Sequence, residues 1–188
     1  MDSDLQLRAI GDIVRAVDVG LWLRGGWAMD FFLGEVTRPH QDIDFFCRDT
    51  DADRIVTQLA AIGYRALPGN HALQRDLLGP HDLDVQIALL GQDTDGCPTV
   101  PAGPYAGARW PADLLDAPPG RTGHIACPIV SPRAQIEIKE MMPVWVPGLP
   151  RRAKDREDIA RLDSTLRQGR NRQCERGPGE IRGPGTMA

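Results

Sequence analysis

The chain has 188 residues, 41% of them hydrophobic and 26% charged, with a formal net charge of −4. That balance is ordinary for a globular protein and excludes disorder throughout, and the length suits one domain that buries about two-thirds of the surface its unfolded chain exposes. The mild acidity argues against a nucleic-acid coat and against a membrane-surface binder, both of which need a basic face.

In chain order, Leu7, Ile10, Ile13, Val14 and Val17 recur at helical spacing and predict a first amphipathic helix ending by Gly20. Leu21-Trp22-Leu23 is a short strand-like run that stops at Gly25-Gly26, and Trp27, Ala28, Phe31 and Phe32 predict a buried helix with Gly34 as its stop. The run from Ile43 to Cys47 reads as a strand, and Ile55, Val56, Leu59 and Ile62 line one face of a third helix over 51–62. Residues 64–67 and 73–78 suit a pair of strands about Pro68-Gly69-Asn70, and 82–90 reads as a central strand. The Pro- and Gly-rich stretch 91–123 is expected to be loop with one helical turn at 112–115, and 132–142 and 152–166 are expected to be helical. The predicted class is α+β, a mixed β-sheet with flanking helices and short C-terminal helices. Residues 1–130 form the core and 131–167 a helical part of the same domain. The segment 168–188, with seven Gly or Pro, has the composition of a disordered tail. Its four arginines against two glutamates leave 1–167 with a charge of −6.

No apolar run reaches the ~18 residues of a membrane span. The start, with Asp2 and Asp4, is unlike a signal peptide. Cys47, Cys97, Cys127 and Cys174 lie far apart with no C-x-x-C pair, which points to reduced thiols in a cytoplasmic protein, not to a zinc site or a disulfide framework.

Three features bear on chemistry. Gly25-Gly26 sits between a strand and a helix start, where glycines admit a close ligand and free N–H groups attract anions; many such turns use glycine for geometry alone. Asp42 and Asp44, two apart at a strand start, share a face and repel unless a cation lies between them, and hard oxygen donors suit Mg²⁺. Asp82-Leu83-Asp84 repeats that spacing at the next strand, with Asp84 the better candidate for a third carboxylate because apolar alternation follows it. Three carboxylates are able to hold two metal ions for in-line displacement at phosphorus. Lys139 and Lys154 are the chain's two lysines, suited as compact charges to phosphate oxygens, Lys139 more than Lys154, which sits in a charge-capped helix start. Trp22 and Trp27 read as packing residues, and Tyr105 and Trp110 lie in the irregular stretch where specificity loops are found.

The string Trp22-Leu23-Arg24-Gly25-Gly26-Trp27-Ala28-Met29-Asp30, followed by Gly34 and by Arg38-Pro39-His40-Gln41-Asp42-Ile43-Asp44, resembles the antibiotic nucleotidyltransferases. These are the lincosamide nucleotidyltransferases and the aminoglycoside 2''-adenylyltransferase group, in the polymerase-β-like superfamily. The resemblance continues softly through Leu83-Asp84-Val85-Gln86 and later segments, over about residues 5–166. It implies that Gly25 and Gly26 bind the triphosphate of ATP or another NTP, with Arg38 at a family position as a further nucleotide contact; Lys139 joins them on its own charge and not through the resemblance. It also implies that Asp42, Asp44 and Asp84 hold Mg²⁺, with Asp84 a candidate general base. Two positions depart from the pattern. Gln86 replaces a His or acidic residue, which leaves the base assignment open, and Arg24 stands where relatives carry a small or acidic residue. The resemblance implies transfer of a nucleoside monophosphate to a hydroxyl of a small-molecule antibiotic, and it admits a homodimer. Two alternatives stay open: a nucleotidyltransferase acting on a protein or RNA, with RNA disfavoured by the charge of −6, and a non-catalytic protein on the same scaffold.

Overall fold

The computed structural model describes residues 2–69, 71–150 and 152–175, with side chains through 168. The first helix, α1 (Ser3–Ala16), is capped by Asp2, whose carboxylate accepts from the Asp4 N–H at 2.9 Å, and it buries Ala9, Ile10 and Ile13. The strand β1 (Leu21–Leu23) leads into α2 (Gly25–Leu33), which ends at Gly34 in the left-handed conformation that glycine adopts without a Cβ penalty. Next come β2 (Ile43–Arg48), α3 (Ala52–Ala60), β3 (Arg65–Ala66), β4 (Gln74–Leu78) and β5 (Asp84–Gln92). All were legible from periodicity, with ends shifted by a few residues.

The main sheet runs β1-β2-β5-β4-β3, with β6 (Pro98–Thr99) pairing antiparallel to the far end of β5. The β2–β5 pair is parallel and every other pairing is antiparallel. Alternation sorts the side chains of β2 and β5 between two faces. Ile43, Phe45, Cys47, Val85, Ile87 and Leu89 enter the large core beneath α1, α2 and α3. Phe46 and Leu90 join Leu114, Val130 and Ala134 in a smaller cluster on the other face.

The stretch 91–123 holds more order than expected. Besides β6, its end forms β7 (Gly120–Thr122), paired with β8 (Ile125–Cys127) in a hairpin across Gly123, which has φ +58°. Strands of two or three residues carry too few alternations to stand out in a sequence. Gly120 is held against α2: a Cβ there would lie 2.8–2.9 Å from Phe31 atoms, two of them backbone. The helix α4 (Pro132–Trp145) runs three residues past Met142 with Pro143 inside it, and α5 (Ala153–Glu175) continues beyond Gln168, where the composition changes. The rest of the segment read as a tail, 176–188, lies outside the described residues. Among the described residues no helix is long and apolar enough to cross a membrane.

Candidate active site

The parallel register sets Asp44 beside Gln86; one alternation earlier, Asp42 comes level with Asp84. Three half-buried carboxylates therefore emerge on one face, at the amino ends of neighbouring strands. A fourth, Asp76 on β4, sits opposite Gln86. Gln74 Nε2 donates to Asp76 Oδ1 at 2.5 Å and to Gln86 Oε1 at 3.3 Å. Reading the sequence missed Asp76; its only signal was the polar alternation of Gln74 and Asp76 on β4.

Burial pushes the Asp44 carboxyl above the usual range; Arg24 opposes this, Asp42 and Asp84 add to it, and Lys154 opposes it. Asp84 is also raised, by burial first, against a hydrogen bond with Gln86 and with the charges of Asp42 and Asp76 adding. These carboxylates feel one another. Among the described residues, however, no three Asp, Glu, His or Cys side chains stand close enough to form a ready metal-ligand group. Asp44 leans across Gly25 and faces Arg24 Nη2 at 3.8 Å. Oxygen donors gathered on one half-buried face, with Asp42 raising the proton affinity of both Asp44 and Asp84, are nevertheless the chemistry that a divalent cation relieves, so the donor set fits Mg²⁺.

The diglycine turn makes room for this arrangement. Gly25 has φ +67°, and a Cβ there would lie 2.9 Å from Asp44 Oδ2; one on Gly26 would lie 2.3 Å from His40 Nδ1. Arg24 precedes α2 without a side-chain cap, so the first N–H groups of the helix have no side-chain acceptor of their own, and its own N–H bonds the Asp44 carbonyl at 3.0 Å. Beneath the turn, His40 Nε2 meets Asp30 Oδ2 at 2.7 Å, and Thr37 donates to Asp30 Oδ1 at 2.6 Å. Arg38 Nη1 lies 3.1 Å from His40 Nδ1. Arginine only donates, so Nδ1 accepts and Nε2 carries the proton given to Asp30. His40 positions the loop ahead of Asp42, tilted against Trp27 with ring centroids 4.7 Å apart.

Arg38 and Lys139 are both tied to α5. Arg38 reaches Asp158 at 3.3 Å, and Lys139 bonds Asp158 at 2.9 Å and Asp155 at 3.3 Å; Arg152 holds Asp155 through two bonds of 2.8 and 3.0 Å. Lys139 lines a cavity of about 390 Å³ between β2 and α4, together with Arg24, Gly25, Asp44 and Arg152. Its apolar walls include Phe46, Trp110, Val130, Ile138 and Met142. Arg38 lies behind Gly26, outside that lining. Trp110 packs edge-on against Phe46 at 5.4 Å, while Tyr105 is exposed. Ser131 joins the Trp110 loop to α4: its hydroxyl donates to Asp113 at 2.8 Å and accepts from the Ala134 N–H at 3.0 Å. Burial pushes the thiols of Cys47 and Cys127 up to about 12, which makes both poor nucleophiles.

This combination of a mixed sheet, a diglycine helix start and paired strand-start carboxylates belongs to the nucleotidyltransferase fold. The lincosamide antibiotic adenylyltransferase LnuA, solved with lincomycin bound, superposes with a TM-score of 0.66 at 24% identity, over 86% of this chain and 97% of that one. ANT(2'')-Ia in complex with adenylyl-2''-tobramycin gives 0.69 at 21% identity, over 88% and 92%. The sequence narrows this further. The family model for aminoglycoside-2''-adenylyltransferases matches residues 6–162. A 2''-aminoglycoside nucleotidyltransferase of Escherichia coli is 33% identical over an alignment 129 positions long that covers 59% of this chain and 72% of that protein. The chain belongs to the aminoglycoside-2''-adenylyltransferase family and is a nucleotidyltransferase.

Proposed function

We propose that the chain transfers AMP from ATP to a hydroxyl of a polycationic antibiotic of the aminoglycoside type. The observation that carries this reading is the separation of charge across the site. Asp84 on β5 and Asp76 on β4 lie beyond Asp42 and Asp44 of β2, whereas the cavity that Asp44 borders is lined by Arg24, Lys139 and Arg152, the last two paired with Asp155 and Lys139 also with Asp158. A cationic acceptor is drawn to the first side and an anionic nucleotide to the second.

Asp42, Asp44 and Asp84 would hold Mg²⁺, which when bound supplies charge neutralisation for the phosphates. The open N–H groups at the start of α2 receive the β- and γ-phosphates, with Arg24 beside them. Asp84, its proton affinity raised by burial and by neighbouring carboxylates, accepts the proton of the attacking hydroxyl. The acceptor oxygen bonds the α-phosphorus as the bridging α–β P–O bond breaks, and pyrophosphate leaves. Most of the rate comes from positioning and electrostatics. Incubating the protein with ATP, Mg²⁺ and either an aminoglycoside or a lincosamide, with pyrophosphate release as the signal, tests this. Release with the aminoglycoside that stops on adding a chelator is expected; release with the lincosamide alone refutes the acceptor class.

A further inference from the structure

Arg24, Lys139 and Arg152 border the cavity between β2 and α4, and they are held unequally. Lys139 bonds Asp155 and Asp158, and Arg152 bonds Asp155, all within 3.3 Å. Arg24, with its side chain 32% exposed, faces the carboxylate of Asp44 at 3.8 Å, which is beyond hydrogen-bond length.

Strand pairing sets up this contact. Arg24 follows β1 and stands opposite Asp44, one step beyond the Leu23–Phe45 pair, and its N–H bonds the Asp44 carbonyl at 3.0 Å. Phe46, two residues along β2, shares the face of Asp44. The Arg24 guanidinium lies over the Phe46 ring, 4.8 Å from its centroid, and such stacking holds a flat cation without using its N–H donors. Both oxygens of Asp44 turn toward the start of α2. Oδ1 faces Arg24, and Oδ2 lies 2.9 Å from where a Gly25 Cβ would stand. Burial raises the proton affinity of Asp44, and Arg24 is the strongest of the charges acting on it, ahead of Asp42, Asp84 and Lys154.

A guanidinium in this place bears on any divalent cation at the carboxylates. A cation taken up by Asp44 either sits beside a fixed positive charge or displaces it, and both cost affinity. No hydrogen bond to Asp44 has to break for the guanidinium to move away, so the contest is reversible. We infer that Arg24 competes with the divalent cation for Asp44 and holds down the affinity of the carboxylate set. The inference rests on reading Asp44 as a metal ligand and adds the residue that tunes it.

Mn²⁺ takes the same carboxylate oxygen donors as Mg²⁺. Its free concentration, read by electron paramagnetic resonance, gives its affinity for the full chain without nucleotide or acceptor. Arg24→Met, which keeps an apolar chain against Phe46, should bind Mn²⁺ about 5-fold more tightly than the unmodified protein, the scale of removing one partly screened charge beside a divalent ion. In an Asp44→Asn background the same substitution should change the affinity by less than about 2-fold, because the contested carboxylate is gone. Circular dichroism reports the fold, and Arg24→Gln decides the matter if Arg24→Met does not fold. Affinity that is unchanged or weaker in the folded Arg24 variant overturns the inference. So does an equal gain with and without the Asp44 carboxylate, which marks a general effect of charge. Mn²⁺ binding that is alike in the unmodified protein and in Asp44→Asn refutes the metal-ligand reading beneath it.

Discussion

Two groups of carboxylates lie close together in this molecule and are treated in opposite ways. Asp30, fully buried in α2, has both oxygens satisfied, by Thr37 and by His40. Asp42, Asp44 and Asp84 are half-buried on one face, and burial, with neighbouring carboxylates adding to it, raises the proton affinity of Asp44 and Asp84. Full partnership marks a carboxylate that holds the loop in shape. Crowding of carboxylates on a half-buried face is what the cation proposed above would relieve.

Substitutions should separate the two groups. Asp44→Asn is expected to lower transfer by about 10³-fold, the scale of losing a pre-organised charge at a reaction centre. Its melting temperature should stay level or rise, because one repelling charge is gone. Conversely, Asp30→Ala leaves the buried His40 and the half-buried Thr37 without their acceptor and should cost about 3 kcal/mol of stability in chemical denaturation. If Asp30→Ala unfolds at the unmodified denaturant midpoint, the contrast between the groups fails. Gly26→Ala should destabilise by about 1–3 kcal/mol, since His40 must move to admit the methyl group; a denaturant series checks it.

The smallest effect concerns Asp155. Burial raises its proton affinity, but the bonds from Arg152 and Lys139 outweigh that and hold the carboxyl below its usual value. A group depressed in the folded state contributes stability above its unfolded value and loses it as the pH falls through the folded one. Melting temperature should therefore drop more steeply below about pH 4 in the unmodified protein than in Asp155→Asn. Parallel pH profiles for the two proteins would reveal that modest difference.

The parts of the fold legible in the sequence are those whose burial repeats over several residues. The alternation of β2 and β5 and the helical spacing of α1 and α3 place one carboxylate pair and predict the second strand start. That these strands are neighbours and parallel follows only from the structure, because a crossover of α3, β3 and β4 separates them in the chain. Asp76 was invisible for the same reason: it is an ordinary polar residue until β4 docks. Arg38 and Lys139 stood out as cations, but no spacing pattern showed that Asp155 and Asp158, far along the chain, would engage them. The β7–β8 hairpin was too short to register against its Gly- and Pro-rich surroundings.

Ser131 gives the molecule a fixed gauge. One hydroxyl ties the turn after Trp110 to the first turn of α4, so the two segments that wall the cavity are joined at one point. A cavity whose walls are joined in this way leaves little ordering to be done at the moment of capture.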